Sequence, residues 1–98
     1  MKFTQAHRKS LHSAMGEQGF SPDDFEYVKR HGRINIIHLA SKKSFAYLRK
    51  KETKIHPDTH QWIESQHFQV SRNNQEEVIE ENWDRVLDQF TDWLQEIN

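Results

Sequence analysis

The richest run of chemistry-bearing side chains is His56-Pro57-Asp58-Thr59-His60-Gln61-Trp62-Ile63-Glu64. If Pro57 opened a helix, His56, His60 and Glu64 would fall at i, i+4 and i+8, roughly on one side. Two imidazoles and a carboxylate can form a zinc or iron ligand set. However, proline at the second position strains that register, and no fourth ligand lies nearby in the sequence. These three residues are therefore a weak metal candidate, and a surface turn around Pro57 is the favoured interpretation. No cofactor is predicted.

Catalytic signatures do not stand out elsewhere in the chain. Glu77 with Glu81, and Asp84 with Asp88, are acid pairs on a predicted helix. A general acid/base pair needs a cleft that raises one pKa, whereas these positions lie opposite the apolar side of that helix. The sequence contains no nucleophile elbow, Walker loop or dinucleotide fingerprint, and its three glycines stand at 16, 19 and 32. We therefore expect no catalytic residues and a non-enzymatic protein.

Length and composition indicate one small folded domain spanning residues 1–98. Only 34% of the residues are hydrophobic, but three Trp, six Phe and two Tyr supply bulky core side chains, and the net charge is −1. Cysteine is absent, which favours a reducing compartment. No apolar run is long enough to span a bilayer, and the basic N-terminus lacks the apolar stretch of a secretory signal. These features predict a cytoplasmic protein that does not contact a membrane.

Two helices are predicted at the chain ends. Apolar residues recur at steps of three and four over residues 78–97, which predicts an amphipathic helix of about six turns. Asn73 or Asn74 would cap that helix, with Glu76 or Glu77 completing a capping box. A weaker N-terminal helix would end at Gly16 or Gly19. Its buried face consists of Phe3, Ala6 or His7, Leu11, Ala14 and Met15.

Strands are predicted between the helices. Residues 25–30 and 33–39 indicate a β-hairpin with a tight turn at His31-Gly32, and 45–48 with 68–70 indicate a second pair. A competing interpretation makes Ser21-Pro22-Asp23-Asp24 a helix start and Gly32 its C-cap. The favoured fold class is α+β, an antiparallel meander of three to four strands in the order α-β-β-β-β-α. Both helices would lie on one face.

The predicted sheet has apolar side chains on both faces. One face holds Phe25, Tyr27, Ile34, Ile36, Phe45 and Tyr47, and the other holds Val28, Ile37, Leu39, Ala46 and Leu48. The second face must be covered by a bulge or the 52–66 loop, or else by a second copy or another protein. Trp62 would either fold over that face or act as an exposed anchor. The leading functional prediction is a binding or regulatory module that acts through protein–protein contact or homodimerisation. Its docking residues would be Ile37, Leu39, Leu48 and Trp62.

Charge is segregated along the chain. Residues 29–54 hold nine basic side chains against Glu52 alone, and residues 74–98 hold eight acids against Arg85. The alternative functional prediction is therefore nucleic-acid binding through phosphate contacts, with His31 and Tyr47 stacking on bases. The acidic C-terminal segment opposes that function because it would repel phosphates. The phosphate-contacting residues would be Lys29, Arg30, Arg33, Lys42, Lys43, Arg49, Lys50 and Lys51.

Overall fold

A computed structural model describes residues 5–98 as an α+β domain. Helix α1 spans Gln5–Glu17, and a short 3₁₀ helix spans Pro22–Asp24. Five strands follow: β1 (Phe25–Arg30), β2 (Arg33–His38), β3 (Ser44–Ile55), β4 (Trp62–Arg72) and β5 (Val78–Glu80). Helix α2 (Trp83–Ile97) closes the order α-β-β-β-β-β-α. The predicted fold class is confirmed, with one strand more than expected.

The strands form one antiparallel sheet in the spatial order β1-β2-β3-β4-β5. Both helices cover the same face, as predicted. Five of the six side chains assigned to that face are buried, and Tyr27 is half-buried against them. The helices contribute Leu11, Ala14, Met15, Val86, Phe90, Trp93 and Leu94 to the same core.

Gly19, the second of the two predicted stops, terminates helix α1 two residues after its last helical residue, Glu17. The Phe20 N–H donates to the Met15 carbonyl at 2.8 Å, and the Gly19 N–H donates to the Gly16 carbonyl at 3.1 Å. These two bonds form a Schellman motif, whose left-handed position Gly19 occupies with φ = 83°. Phe3 lies outside the described residues.

The β1–β2 hairpin is confirmed against the helical alternative. His31 (φ = 51°) and Gly32 (φ = 77°) are both left-handed, as a two-residue type I′ turn requires. The helix start predicted at Ser21-Pro22-Asp23-Asp24 nevertheless forms, as the capped 3₁₀ helix. The Ser21 Oγ accepts from the Asp23 N–H, and an Asp24 carboxylate oxygen accepts from the Ser21 N–H. This capping box supports only the 3₁₀ helix, because the alternating strand pattern begins directly afterwards at Phe25.

The C-terminal helix begins later than predicted. Val78 lies opposite Val70 in strand β5, so residues 78–80 extend the sheet instead of the helix. The N-cap is Asn82, whose Oδ1 accepts from the Arg85 N–H at 3.1 Å. Asn73 and Asn74 form the left-handed turn before β5, so the predicted cap and its capping box with Glu76 or Glu77 are wrong. The residue pattern fits either element here, and pairing with β4 decides between them.

Strands β3 and β4 run far beyond the rest of the sheet. They stay paired from Phe45 opposite Arg72 to Ile55 opposite Trp62. In contrast, β2 pairs with β3 only as far as Tyr47, and β5 pairs with β4 only at Phe68–Val70. Residues 49–55 and 62–67 therefore pair with each other alone, joined by a turn. We call residues 49–67 the arm. The 52–66 loop that was expected to fold over the second sheet face is part of this projection, so that expectation is wrong.

Candidate docking surfaces

The arm ends in exposed apolar side chains. Trp62 is 71% exposed, Ile55 54% and Ile63 45%. Ile55 and Trp62 lie opposite each other on one face of the ribbon, and Ile63 lies on the other face opposite Lys54. Half of the large exposed apolar residues in the described chain are at this one place, which we call the arm tip. At about 3.3 Å per residue, the tip stands roughly 20 Å beyond the body of the sheet.

The turn at the arm tip uses its first histidine structurally. The His56 Nδ1 accepts from the backbone N–H groups of Asp58 (3.2 Å) and Thr59 (3.3 Å). Its backbone N–H donates to the Gln61 carbonyl at 2.8 Å. Pro57 therefore begins a turn, as the favoured interpretation held, and the helical register that would group His56, His60 and Glu64 does not form. Within residues 5–98 no group of three or more His, Asp or Glu side chains is placed to hold a metal ion, so the structure does not bring the three residues of the weak metal candidate together.

The sheet face away from the helices carries the side chain of Arg33. This side chain crosses β3, and its guanidinium donates to the Ser71 Oγ at 2.8 Å and to a Glu77 carboxylate oxygen at 3.1 Å. Ala46 lies opposite Ser71 in the register, and both are only 4% exposed. The small Ala46 side chain leaves room for the guanidinium to cross. Arg33 therefore occupies part of this face beside Ala46, whereas Val28, Ile37 and Leu48 on the same face stay partly exposed.

The four predicted docking residues lie in three places. Ile37 and Leu48 are on the helix-free face, both partly exposed. Leu39 follows β2 in a turn, is 41% exposed, and donates its N–H to the Asp24 carbonyl. Trp62 is at the arm tip. Only Ile37 and Leu48 share a surface, a shallow one whose neighbouring depression of about 450 Å³ is lined by Val28, Arg30, Asn35, Ile37, Lys42, Ser44 and Asn74.

The predicted phosphate-contacting residues are divided between the two ends of β2. Lys42 and Lys43 lie just before β3, about 20 Å by strand length from Lys29 and Arg30 at the other hairpin end. Arg49, Lys50 and Lys51 start the arm near that second group. Arg33 is committed to Ser71 and Glu77. Tyr47 is fully buried in the core, so the expectation that it stacks on bases is wrong.

A half-buried histidine lies where the arm leaves the body. The His7 ring stacks on Trp83 with ring centroids 3.8 Å apart, and contacts Tyr47 and Phe68 edge-on at 6.3 and 6.2 Å. Burial lowers the pKa of His7 below 6.5, and the nearby Arg49 guanidinium lowers it further. Burial also raises the pKa of Tyr47. The sequence left Ala6 or His7 open for this helix face, and the structure selects His7, because Ala6 is exposed.

Sequence reasoning missed Ile55 and Ile63 as surface residues of the arm tip. Residues 52–66 lack an apolar alternation and were interpreted as a loop. The available signal was three large apolar residues flanking a polar turn, with Ile55 on one side and Trp62-Ile63 on the other. Such a pattern is also compatible with a hairpin end.

Comparison of the chain with protein-family models, curated proteins and solved structures finds no match. Neither of the helices found between residues 5 and 98 has the length and apolar content needed to cross a bilayer.

Proposed function

We propose that this chain is a non-enzymatic protein-binding module that self-associates, with the arm as its binding element. The observation that carries the proposal is the arm tip, where Ile55, Trp62 and Ile63 are exposed on a projecting ribbon. Large exposed aromatic and aliphatic side chains gathered at one point are typical anchors of protein interfaces. A cytoplasmic location is proposed with it, on the cysteine-free composition alone.

The energetics of the arm favour a binding role. Two-stranded hairpins are marginally stable in water without packing on one face. Burying a side chain such as Trp62 or Ile55 contributes about 1.5–3 kcal/mol, which the described chain leaves unused at the arm tip. A partner that covered the tip would stabilise both the ribbon and the complex.

Two features favour a second copy of this chain as the partner. The net charge of −1 opposes association of two copies only weakly. The arm carries Arg49, Lys50, Lys51 and Lys54 against Glu52, Asp58 and Glu64, whereas residues 76–81 read Glu-Glu-Val-Ile-Glu-Glu along the acidic edge of the sheet. Val78 and Ile79 on that edge are 48% and 63% exposed. One copy therefore offers both a weakly basic arm with an apolar tip and an acidic edge with exposed apolar side chains.

Light scattering over a range of protein concentrations tests the proposal. We expect the mass to rise from monomer to dimer, and the double variant Ile55→Ala/Trp62→Ala to weaken association at least about tenfold, which is 1.4 kcal/mol. Leu39→Ala is the comparison variant, because Leu39 is an exposed apolar residue predicted to dock but outside the arm, and we expect it to weaken association less than the double variant does. A wild-type chain that stays monomeric at every concentration overturns the proposal. So does a double variant that dimerises like the Leu39→Ala variant.

Nucleic-acid binding is the second candidate function. The observation that favours it is the gathering of Lys29 and Arg30 near Arg49, Lys50 and Lys51, where the arm begins. Titration of a labelled oligonucleotide at two salt concentrations tests it. Affinity that falls steeply with salt supports phosphate contact by these side chains, and an absence of binding at low salt removes the candidate.

A further inference from the structure

We infer that the second copy joins the arm through the outer edge of β4, residues 62–67, as an antiparallel strand pair with Ser65 on the two-fold axis. This inference rests on the proposed function and names the surface that performs it. The result would be a four-stranded ribbon, β3-β4-β4-β3, built from two arms.

The outer edge of β4 is open along the arm. Strand β5 covers that edge only from Val70, opposite Val78, to Phe68, opposite Glu80. Beyond Phe68, the pairing of the described strands leaves β4 with β3 on one side only. An uncovered edge presents unpaired backbone N–H and C=O groups, which another strand can satisfy.

The two edges of the arm differ in how they are protected. Residues 49–55 of β3 carry Arg49, Lys50, Lys51 and Lys54, and edge lysines are a common device against strand pairing. Residues 62–67 of β4 carry no lysine or arginine and one carboxylate, Glu64. Pairing β3 with its own copy would bring cations together, whereas pairing β4 with its own copy does not. The β4 edge is therefore the favoured one.

Symmetry fixes the register. A two-fold axis perpendicular to the sheet leaves each side chain on the same face of the sheet in both copies. Directly opposed residues also share a face, and side chains alternate along a strand. The axis must therefore pass between the two copies of one residue. An axis at Glu64 pairs residues 62–66 of the two copies, and an axis at Ser65 pairs residues 63–67. An axis at any other residue of the free edge pairs fewer than five residues. An axis at Glu64 sets that carboxylate opposite its own copy, which is destabilising. An axis at Ser65 places Glu64 opposite Gln66 and Ile63 opposite His67, with no like charges directly opposed.

This register also brings the acidic edge of one copy to the arm tip of the other. Trp62 of one chain reaches the level of Phe68 in the other, where β5 ends at Glu80. The tip then lies beside Glu80 and Glu81 of the other copy, and Lys54 of the arm, which lies 3.5 Å from Glu52 in its own chain, is of opposite charge to them. Charge attraction is therefore gained at each end of the ribbon.

Cysteine cross-linking tests the inference, because the chain has no cysteine of its own. Ser65→Cys places one thiol from each copy at the axis, where directly opposed Cα atoms are about 4.5–5.5 Å apart and within disulfide reach. Glu52→Cys is the matched control, because Glu52 lies opposite Ser65 within the arm and on the same face of it. Both side chains are exposed. The oxidation is followed by non-reducing gel at a concentration where the wild-type chain is dimeric.

We expect the Ser65→Cys chains to form covalent dimers at least ~10-fold faster than the Glu52→Cys chains, because the axis raises the effective thiol concentration. Equal rates, or faster cross-linking through Glu52→Cys, overturn the inference. If the mass by light scattering is nevertheless dimeric, the proposed function still stands. A monomeric mass by light scattering overturns both.

Discussion

The inner and outer halves of the β3–β4 hairpin share one register but have different surroundings. In the inner half, Phe45 packs against Phe90 at 5.1 Å and Trp93 at 5.7 Å between ring centroids, and Tyr47 is fully buried. In the outer half, the same pairing continues to Ile55 and Trp62 with no helix above it in the described structure. Strand pairing alone thus extends past the core, but burial does not. The outer half exposes its large apolar side chains, and the inner half buries them.

The largest expected effect separates two tryptophans, one beside each half. Trp93→Ala removes a fully buried side chain from the core and should lower the free energy of unfolding by about 3–5 kcal/mol. Trp62→Ala removes a 71% exposed side chain and should change it by less than about 0.5 kcal/mol. Urea denaturation at a protein concentration low enough to keep the chain monomeric measures both. Similar losses for the two variants would show that the arm belongs to the same cooperative core.

A smaller effect concerns the helix-free face of the inner half. Arg33→Met removes the donor to Ser71, whose hydroxyl is then left buried without that partner. We expect a loss of about 1–2 kcal/mol, chiefly from the unsatisfied hydroxyl, because the half-exposed pair with Glu77 contributes little. Arg30→Met, at an exposed site on the neighbouring strand, is the control. If both variants lose the same stability, the hydrogen bond from Arg33 to Ser71 does not stabilise this face.

The smallest expected effect is a pH dependence at the boundary between the halves. The pKa of His7 is lower in the folded chain than its ordinary value of 6.5, because the ring is buried beside Trp83, Tyr47 and Phe68 and near Arg49. Below pH 6.5 the unfolded chain therefore binds a proton that the folded chain resists, and stability falls. Above pH 6.5 this contribution is fully present.

Thermal unfolding from neutral to mildly acidic pH measures that dependence. His7→Phe keeps a ring against Trp83 and should reduce the loss of stability on acidification. His31→Asn is the control, because His31 is exposed and asparagine tolerates its left-handed backbone. An unchanged pH profile for His7→Phe would show that other groups cause the acid sensitivity.

The same comparison explains which parts of the structure could be predicted from the sequence. The inner strands could be predicted because apolar residues such as Phe45 and Tyr47 recur at every second position, and they do so because one face of each strand is buried. The arm carries no such alternation, since neither of its faces is covered by the domain. Its two halves, residues 49–55 and 62–67, are strands only because they pair with each other. Residues 78 and 79 fit the apolar spacing of α2, so their pairing with β4 could not be distinguished locally. The exposure of Trp62 follows from the arm, and it confirms one of the two alternatives that the sequence left open, an exposed side chain or one folded over the sheet.

The central claim is that the outer half of the hairpin is completed by a second copy rather than by its own domain. Amide hydrogen exchange at increasing protein concentration tests it residue by residue, with the inner strand, residues 45–48, as an internal reference. Exchange at residues 62–67 should slow as the dimer forms, and by a larger factor than exchange at residues 45–48, which are already paired and buried within one chain. Exchange at residues 62–67 that does not change with concentration would contradict the claim.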